Sequence, residues 1–124
     1  MKVSGKKSSV TIKDAKAALV TLGKVRKLFG PTGKGWTIGA VWGKNFYGHD
    51  QYCLLGAIRI ANGPGGPILE HTLKRMLPKD DRNSLGPIIS FNDGLGKGTV
   101  NNRFSNVKKL LGRVERKFRR ILAK

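Results

Sequence analysis

A chain of 124 residues with 39% apolar composition has room for one domain and one modest core, and its excess of 25 Lys/Arg over 7 Asp/Glu, a net charge of +18, calls for an anionic partner. No apolar run approaches the ~20 residues that span a bilayer, and the opening MKVSGKKSSV lacks the apolar segment that directs secretion, so the expected location is the cytoplasm, a virion or a nucleoprotein particle. A single cysteine excludes an intrachain disulfide, and Cys53, His49 and His71 show no recognisable ligand spacing, so no metal or other cofactor is expected.

Residues 1–9 carry Lys2, Lys6 and Lys7 among serines and glycine and read as a flexible basic arm; residues 10–124 read as a single compact domain. Thr11 looks like an N-cap with Asp14 three residues on, opening a helix whose apolar side holds Ile12, Ala15, Ala18, Leu19, Leu22, Val25 and Phe29. Lys13, Lys16, Lys24 and Lys27 fall opposite, and Gly30-Pro31 stops the helix. Trp36, Ile38, Ala40 and Trp42 then alternate in the manner of a short strand or extended segment. Asp50 is the expected cap of a buried helix over residues 51–61, with Asn62-Gly63 as its left-handed stop. Pro67 is placed to start another helix, over residues 68–77, closed by Pro78. Residues 79–84 read as a polar loop, Ile88-Ile89-Ser90-Phe91 as a buried strand or extended plug, and Asn92-Asp93-Gly94 as a turn into a glycine linker.

The most informative element comes last. Winding residues 100–124 as a helix gathers Val100, Phe104, Val107, Leu110, Leu111, Val114, Phe118, Ile121 and Leu122 into a stripe roughly 120° wide. The rest of its circumference carries Arg103, Lys108, Lys109, Arg113, Arg116, Lys117, Arg119, Arg120 and Lys124, opposed only by Glu115. Like charges at i,i+3 and i,i+4 repel by a few tenths of a kcal/mol per pair, so such a face weakens a helix unless a polyanion neutralises it. The charge is concentrated at the two ends: eight Lys/Arg against one acid in residues 1–30, eight against five in 31–99, and nine against one in 100–124. The expected fold is therefore helix-rich α+β, with about four helices, one or two short strands and a long basic C-terminal helix.

Four segments carry a resemblance: Gly35-Trp36-Thr37-Ile38-Gly39-Ala40, Tyr52-Cys53-Leu54-Leu55-Gly56-Ala57-Ile58 with Ala61, Ile89-Ser90-Phe91-Asn92-Asp93, and the Thr99-Val100 start of the last helix. In order and spacing they resemble an uncharacterised family of small bacterial and phage proteins. The resemblance implies a compact helix-rich domain and no particular activity.

Function is then read from charge. Lys and Arg that displace condensed counterions bind nucleic acid, DNA or RNA, through its phosphates and without reading sequence. The residues expected to do so are Arg113, Arg116, Lys117, Arg119 and Arg120, then Lys108 and Lys109, with Lys6, Lys7, Lys13 and Lys16 in support. Lys34 and Lys44 are placed to touch phosphates from the glycine-rich stretch, and Trp36, Trp42, Phe46 or Tyr47 to stack on bases if exposed. Residues 30–35 lack the spacing of a nucleotide-binding loop. Two other classes stay open: a structural part of a larger nucleoprotein assembly, and a cysteine-dependent enzyme built on Cys53 with His49, His71, Asn92 or Asp93. A membrane-surface role for the terminal helix is a weaker third, because anionic lipid attracts the same face. Against catalysis, Asp50 near the thiol raises its pKa, and cysteine most often packs as a small hydrophobe.

Overall fold

Thr11 sets the first boundary of the fold: its backbone is extended and its Oγ1 accepts a hydrogen bond from the Asp14 amide at 3.0 Å, so helix α1 spans Ile12–Phe29. Gly30, at φ +76, ends it by donating its N–H to the Arg26 carbonyl. The computed structural model describes residues 10–38, 42–44, 50–61, 63–94 and 102–123; residues 1–9, read above as a flexible arm, and Val100 lie outside them. The buried side of α1 is formed by Ala15, Ala18, Thr21, Leu22, Val25 and Phe29. Ile12, expected on that side, is 49% exposed, because at about 100° per residue it stands roughly 110° from the centre of the buried arc.

Of the alternating residues Trp36, Ile38 and Trp42, only Trp42 lies in a strand among the described residues. Trp36 forms one bridge with Tyr52, whose N–H donates to the Gly35 carbonyl at 2.6 Å and whose carbonyl accepts from Thr37 at 3.0 Å. Among the described residues, regular pairing is limited to β1 (Trp42–Lys44) and β2 (Asp50–Tyr52), antiparallel with Trp42 opposite Tyr52, Gly43 opposite Gln51 and Lys44 opposite Asp50. Ala40 lies outside the described residues.

Asp50, expected as a helix cap, sits instead in strand β2, four residues before the helix it was to open. Helix α2 starts later, at Leu54–Ala61, because the pairing of residues 50–52 holds that segment extended. Helix α3 spans Gly66–Met76 with Pro67 in its first turn, where a missing N–H costs no hydrogen bond. Gly65, just before it, approaches α1 so closely that a Cβ would overlap the Ala17 carbonyl.

Two further helices replace the loop and the strand expected between Pro78 and Gly94. Residues Lys79–Arg82 form α4, with Asp80 and Asp81 in a first turn that favours acids. Residues Pro87–Asp93 form α5: Pro87 opens it and Gly94, at φ +83, closes it in the left-handed conformation. A short apolar run fits strand or helix equally by periodicity; the flanking proline and glycine decide here for helix. The described part of the chain is thus helix-rich, with six helices, two of them no more than seven residues long.

The last helix, α6, spans Phe104–Leu122. Val107, Leu110, Leu111, Val114 and Phe118 are buried along it, and Phe104, Ile121 and Leu122 are half-buried at the margins. They dock on α1, which also packs against α2 and α3 and so lies at the centre of the core. Full burial of a side chain such as Leu22 or Leu110 contributes about 1.5–3 kcal/mol, so this docking supplies the main reason for α6 to be helical. Phe104 meets Phe29 edge to face at 5.7 Å between ring centroids and Trp36 at 5.9 Å.

Candidate functional site

Docking one side of α6 fixes what the other side presents. With the buried arc taken as inward, Ser105, Lys109 and Arg116 fall within about 30° of the outward direction, with Gly112 and Arg120 next to them. Ser105, Lys108, Lys109, Gly112, Arg113 and Arg116 line a shallow open groove of about 560 Å³ that runs along the helix. Its four cationic residues are all exposed. Two of them make long hydrogen bonds to backbone: Lys108 Nζ to the Pro31 carbonyl at 3.5 Å and an Arg113 guanidinium nitrogen to the Met76 carbonyl at 3.3 Å.

The remaining predicted cations are arranged around that groove. Arg120 is exposed, and its Nε reaches the Arg116 carbonyl at 3.4 Å. Lys117 is exposed on the flank away from α1. Arg119 is partly committed elsewhere, its Nε donating to Glu115 Oε2 at 2.7 Å. Glu115 also accepts from Arg26 of α1, so the single acid of α6 ties the two helices together. The two guanidinium groups, Arg26 foremost, hold the Glu115 carboxyl below its ordinary value of 4.5. Arg26 had no place among the predicted residues: its partner is 89 positions away, and only the packing of α1 on α6 brings them together.

That packing also sorts the cations of α1. Phe29 meets Phe104 and Lys108 meets Pro31, so α1 and α6 run antiparallel and the groove lies beside the C-terminal end of α1. Lys24 and Lys27 are exposed near that end. Lys13 and Lys16 are exposed too, but roughly 15–20 Å farther along the α1 axis, so they extend the charged surface and do not line the groove. Together α1 and α6 carry twelve Lys/Arg and two acids, Asp14 and Glu115. Lys34 is exposed on its loop. Lys6, Lys7, Phe46 and Tyr47 fall outside the described residues, as do the side chains of Trp42 and Lys44.

The ingredients of the enzyme reading are placed quite differently. Cys53 is 2% exposed and stands at the N-terminus of α2, where its Sγ accepts from the Gly56 amide at 3.3 Å. It is a cap. Burial, with the Asp93 carboxylate adding to it, pushes the thiol above its ordinary 9.0, the reverse of what a nucleophile needs. His71 is exposed on α3 and His49 lies outside the described residues.

Asn92 proves to be the polar centre of the interior and not a residue of its own turn. Its side chain is fully buried, and its Oδ1 accepts from the Trp36 indole at 2.6 Å and from the Leu54 amide at 2.9 Å. Its Nδ2 donates to the Thr37 carbonyl at 3.0 Å and to Asp93 Oδ1 at 2.9 Å. One side chain thereby joins α5 to the Trp36 loop and to the start of α2. Trp36 is consequently anchored inward, not held out for stacking. Asn102 continues the chain of contacts, donating to the Phe91 carbonyl at 2.8 Å and accepting from the Arg103 amide at 2.8 Å, which ties α5 to the start of α6.

A second cleft, of about 300 Å³, shares Lys109 and Arg113 with the groove but is closed on its other side by Asp80 and Asp81. Asp81 accepts from Ser90 Oγ at 2.7 Å. Its mixed charge makes it a poor seat for a polyanion. No protein-family model, curated protein or solved structure matches the chain. Among the described residues no three His, Cys, Asp or Glu side chains are grouped to hold a metal ion, and no helix is long and apolar enough to cross a membrane.

Proposed function

We propose that the protein binds nucleic acid without catalysis, gripping the phosphate backbone through α6, with α1 and residues 1–9 in support, and with little preference for sequence. The observation that carries this reading is the gathering of Lys108, Lys109, Arg113 and Arg116 around one groove. The acid nearest to them on α6, Glu115, is engaged by Arg26 and Arg119. Each phosphate that these cations neutralise releases condensed counterions, and arginine can hold two phosphate oxygens at once. Such contacts position a protein on a backbone and read no bases.

Binding to a labelled duplex and a labelled single strand of random sequence, made as DNA and as RNA, tests the reading across ~50–300 mM salt. Log K falls by about 0.9 for each tenfold rise in salt per duplex phosphate neutralised. A slope worth several phosphates, reduced by roughly three to four when Arg113, Arg116, Arg119 and Arg120 are changed to Gln, is the expected result. Absence of binding at the lowest salt overturns it and assigns the same face to an acidic protein surface within a larger assembly.

A further inference from the structure

Gly112 stands in the middle of α6, where glycine weakens a helix relative to alanine. At Gly35 and Gly65 the fold explains the missing side chain, whereas at Gly23, inside α1, it does not. A Cβ on Gly35 would overlap the Leu28 carbonyl, and one on Gly65 the Ala17 carbonyl. At Gly112 nothing of the kind applies: a Cβ would meet only the Arg116 guanidinium end, at 3.6 Å, an ordinary contact with a flexible group.

The neighbours of Gly112 sharpen the puzzle. Lys108 and Lys109 lie one turn before it, Arg116 one turn after it and Arg113 beside it, with Ser105 a further turn back on the same line. Four like charges therefore surround the one position of the groove that lacks a side chain. Both features, the glycine and the crowded cations, destabilise the free helix, and both fall at the same point.

A phosphate resting against the helix backbone at Gly112 accounts for both. It would lie within reach of all four cations, and a methyl group at 112 would hold it off. The described aromatic rings of the neighbourhood, Phe29, Trp36, Phe104 and Phe118, are packed on the core side of the molecule. Single-strand sites draw much of their affinity from bases stacked on such rings, whereas a duplex offers its phosphates outward with its bases already stacked. Building on the phosphate-binding reading above, we infer that Gly112 is the seat of a backbone phosphate and that the groove Ser105–Arg116 takes the backbone of a double-stranded nucleic acid.

The test compares wild type with Gly112→Ala and with Gly23→Ala, an exposed position within α1 that has nothing within 4 Å of an added Cβ. Melting temperature and salt-dependent binding are measured on random-sequence duplexes and single strands of equal length, as DNA and as RNA. Both substitutions are expected to raise the melting temperature by a few degrees, which also shows that the variants fold. Gly112→Ala is expected to weaken duplex binding several-fold and to lower the salt slope by about one phosphate, while Gly23→Ala changes neither. Gly112→Ala binding duplex as tightly as wild type, or single strands bound more tightly than duplexes, overturns the inference and leaves the broader reading standing. Wild type binding neither removes both.

Discussion

Asn92 and the groove of α6 place polar groups under opposite rules. Around Asn92 every neighbour is a partner: an indole N–H, a helix-opening amide, a carbonyl and a carboxylate all meet its one amide group. Around Gly112 the neighbours are four exposed cations, two of which make long hydrogen bonds to backbone carbonyls. A buried polar group left unpaired costs about 1–3 kcal/mol, so the interior arrangement is dictated by the fold itself. Exposed cations meet no such demand, and nothing inside the molecule requires that they be crowded. The first region is explained by stability; for the second we propose a partner outside the chain.

The contrast can be broken most decisively at Asn92. Changing it to Ala leaves the Trp36 indole, the Leu54 amide and the Thr37 carbonyl without their partner, and a loss of about 3 kcal/mol or more in urea unfolding is expected. A loss below about 1 kcal/mol would show that these groups find other partners and that the interior is less tightly specified than its geometry implies.

Cys53 sharpens the same side of the comparison on a smaller scale. Cys53→Ala removes the acceptor of the buried Gly56 amide and should cost about 1 kcal/mol, whereas Cys53→Ser retains an acceptor and should cost less. In the wild type, labelling by a thiol reagent should be slow at neutral pH and accelerate with denaturant, because the thiol is buried and its pKa raised. Rapid labelling of the folded protein would restore a reactive role to this residue.

Glu115 is where the two regimes meet, and its effect is the smallest. Its side chain is 23% exposed and its partners are more so, which limits the pair to about 1 kcal/mol. Because the folded-state pKa is lowered, this contribution is complete above the ordinary value of 4.5 and is lost as pH falls through the lowered one. The stability difference between wild type and Glu115→Gln should therefore be constant near neutrality and disappear in acid. A difference that grew on acidification would contradict the ion-pair geometry.

Legibility in the sequence followed the distance over which each element is determined. Helix α1 is bounded by local signals, the Thr11 cap and Gly30-Pro31, and its limits could be read directly. The five buried residues of α6 all belong to its 3.6-residue apolar stripe. The start of α2 could not be read, since its first amide is capped by Asn92 from 38 positions away, and Asp50, the local candidate, was drawn into β2 by pairing. Helix α5 was hidden because seven residues are too few for periodicity to separate helix from strand. The exposed positions of the cations followed from where the apolar stripe lies. Their grouping did not, because the Arg26–Glu115 contact and the isolation of Gly112 depend on which helix lies beside which.

Twelve cations against two acids on the adjoining helices α1 and α6 also set how the free protein responds to its buffer. Mutual repulsion strains the unliganded fold, and added salt relieves it by shortening the reach of each charge to about 10 Å at 0.1 M. Moderate salt should thus make the fold firmer while it loosens the grip on a polyanion. A folding assay in dilute buffer should find the molecule at its weakest, and, on the proposed function, a binding assay in the same buffer should find it at its tightest.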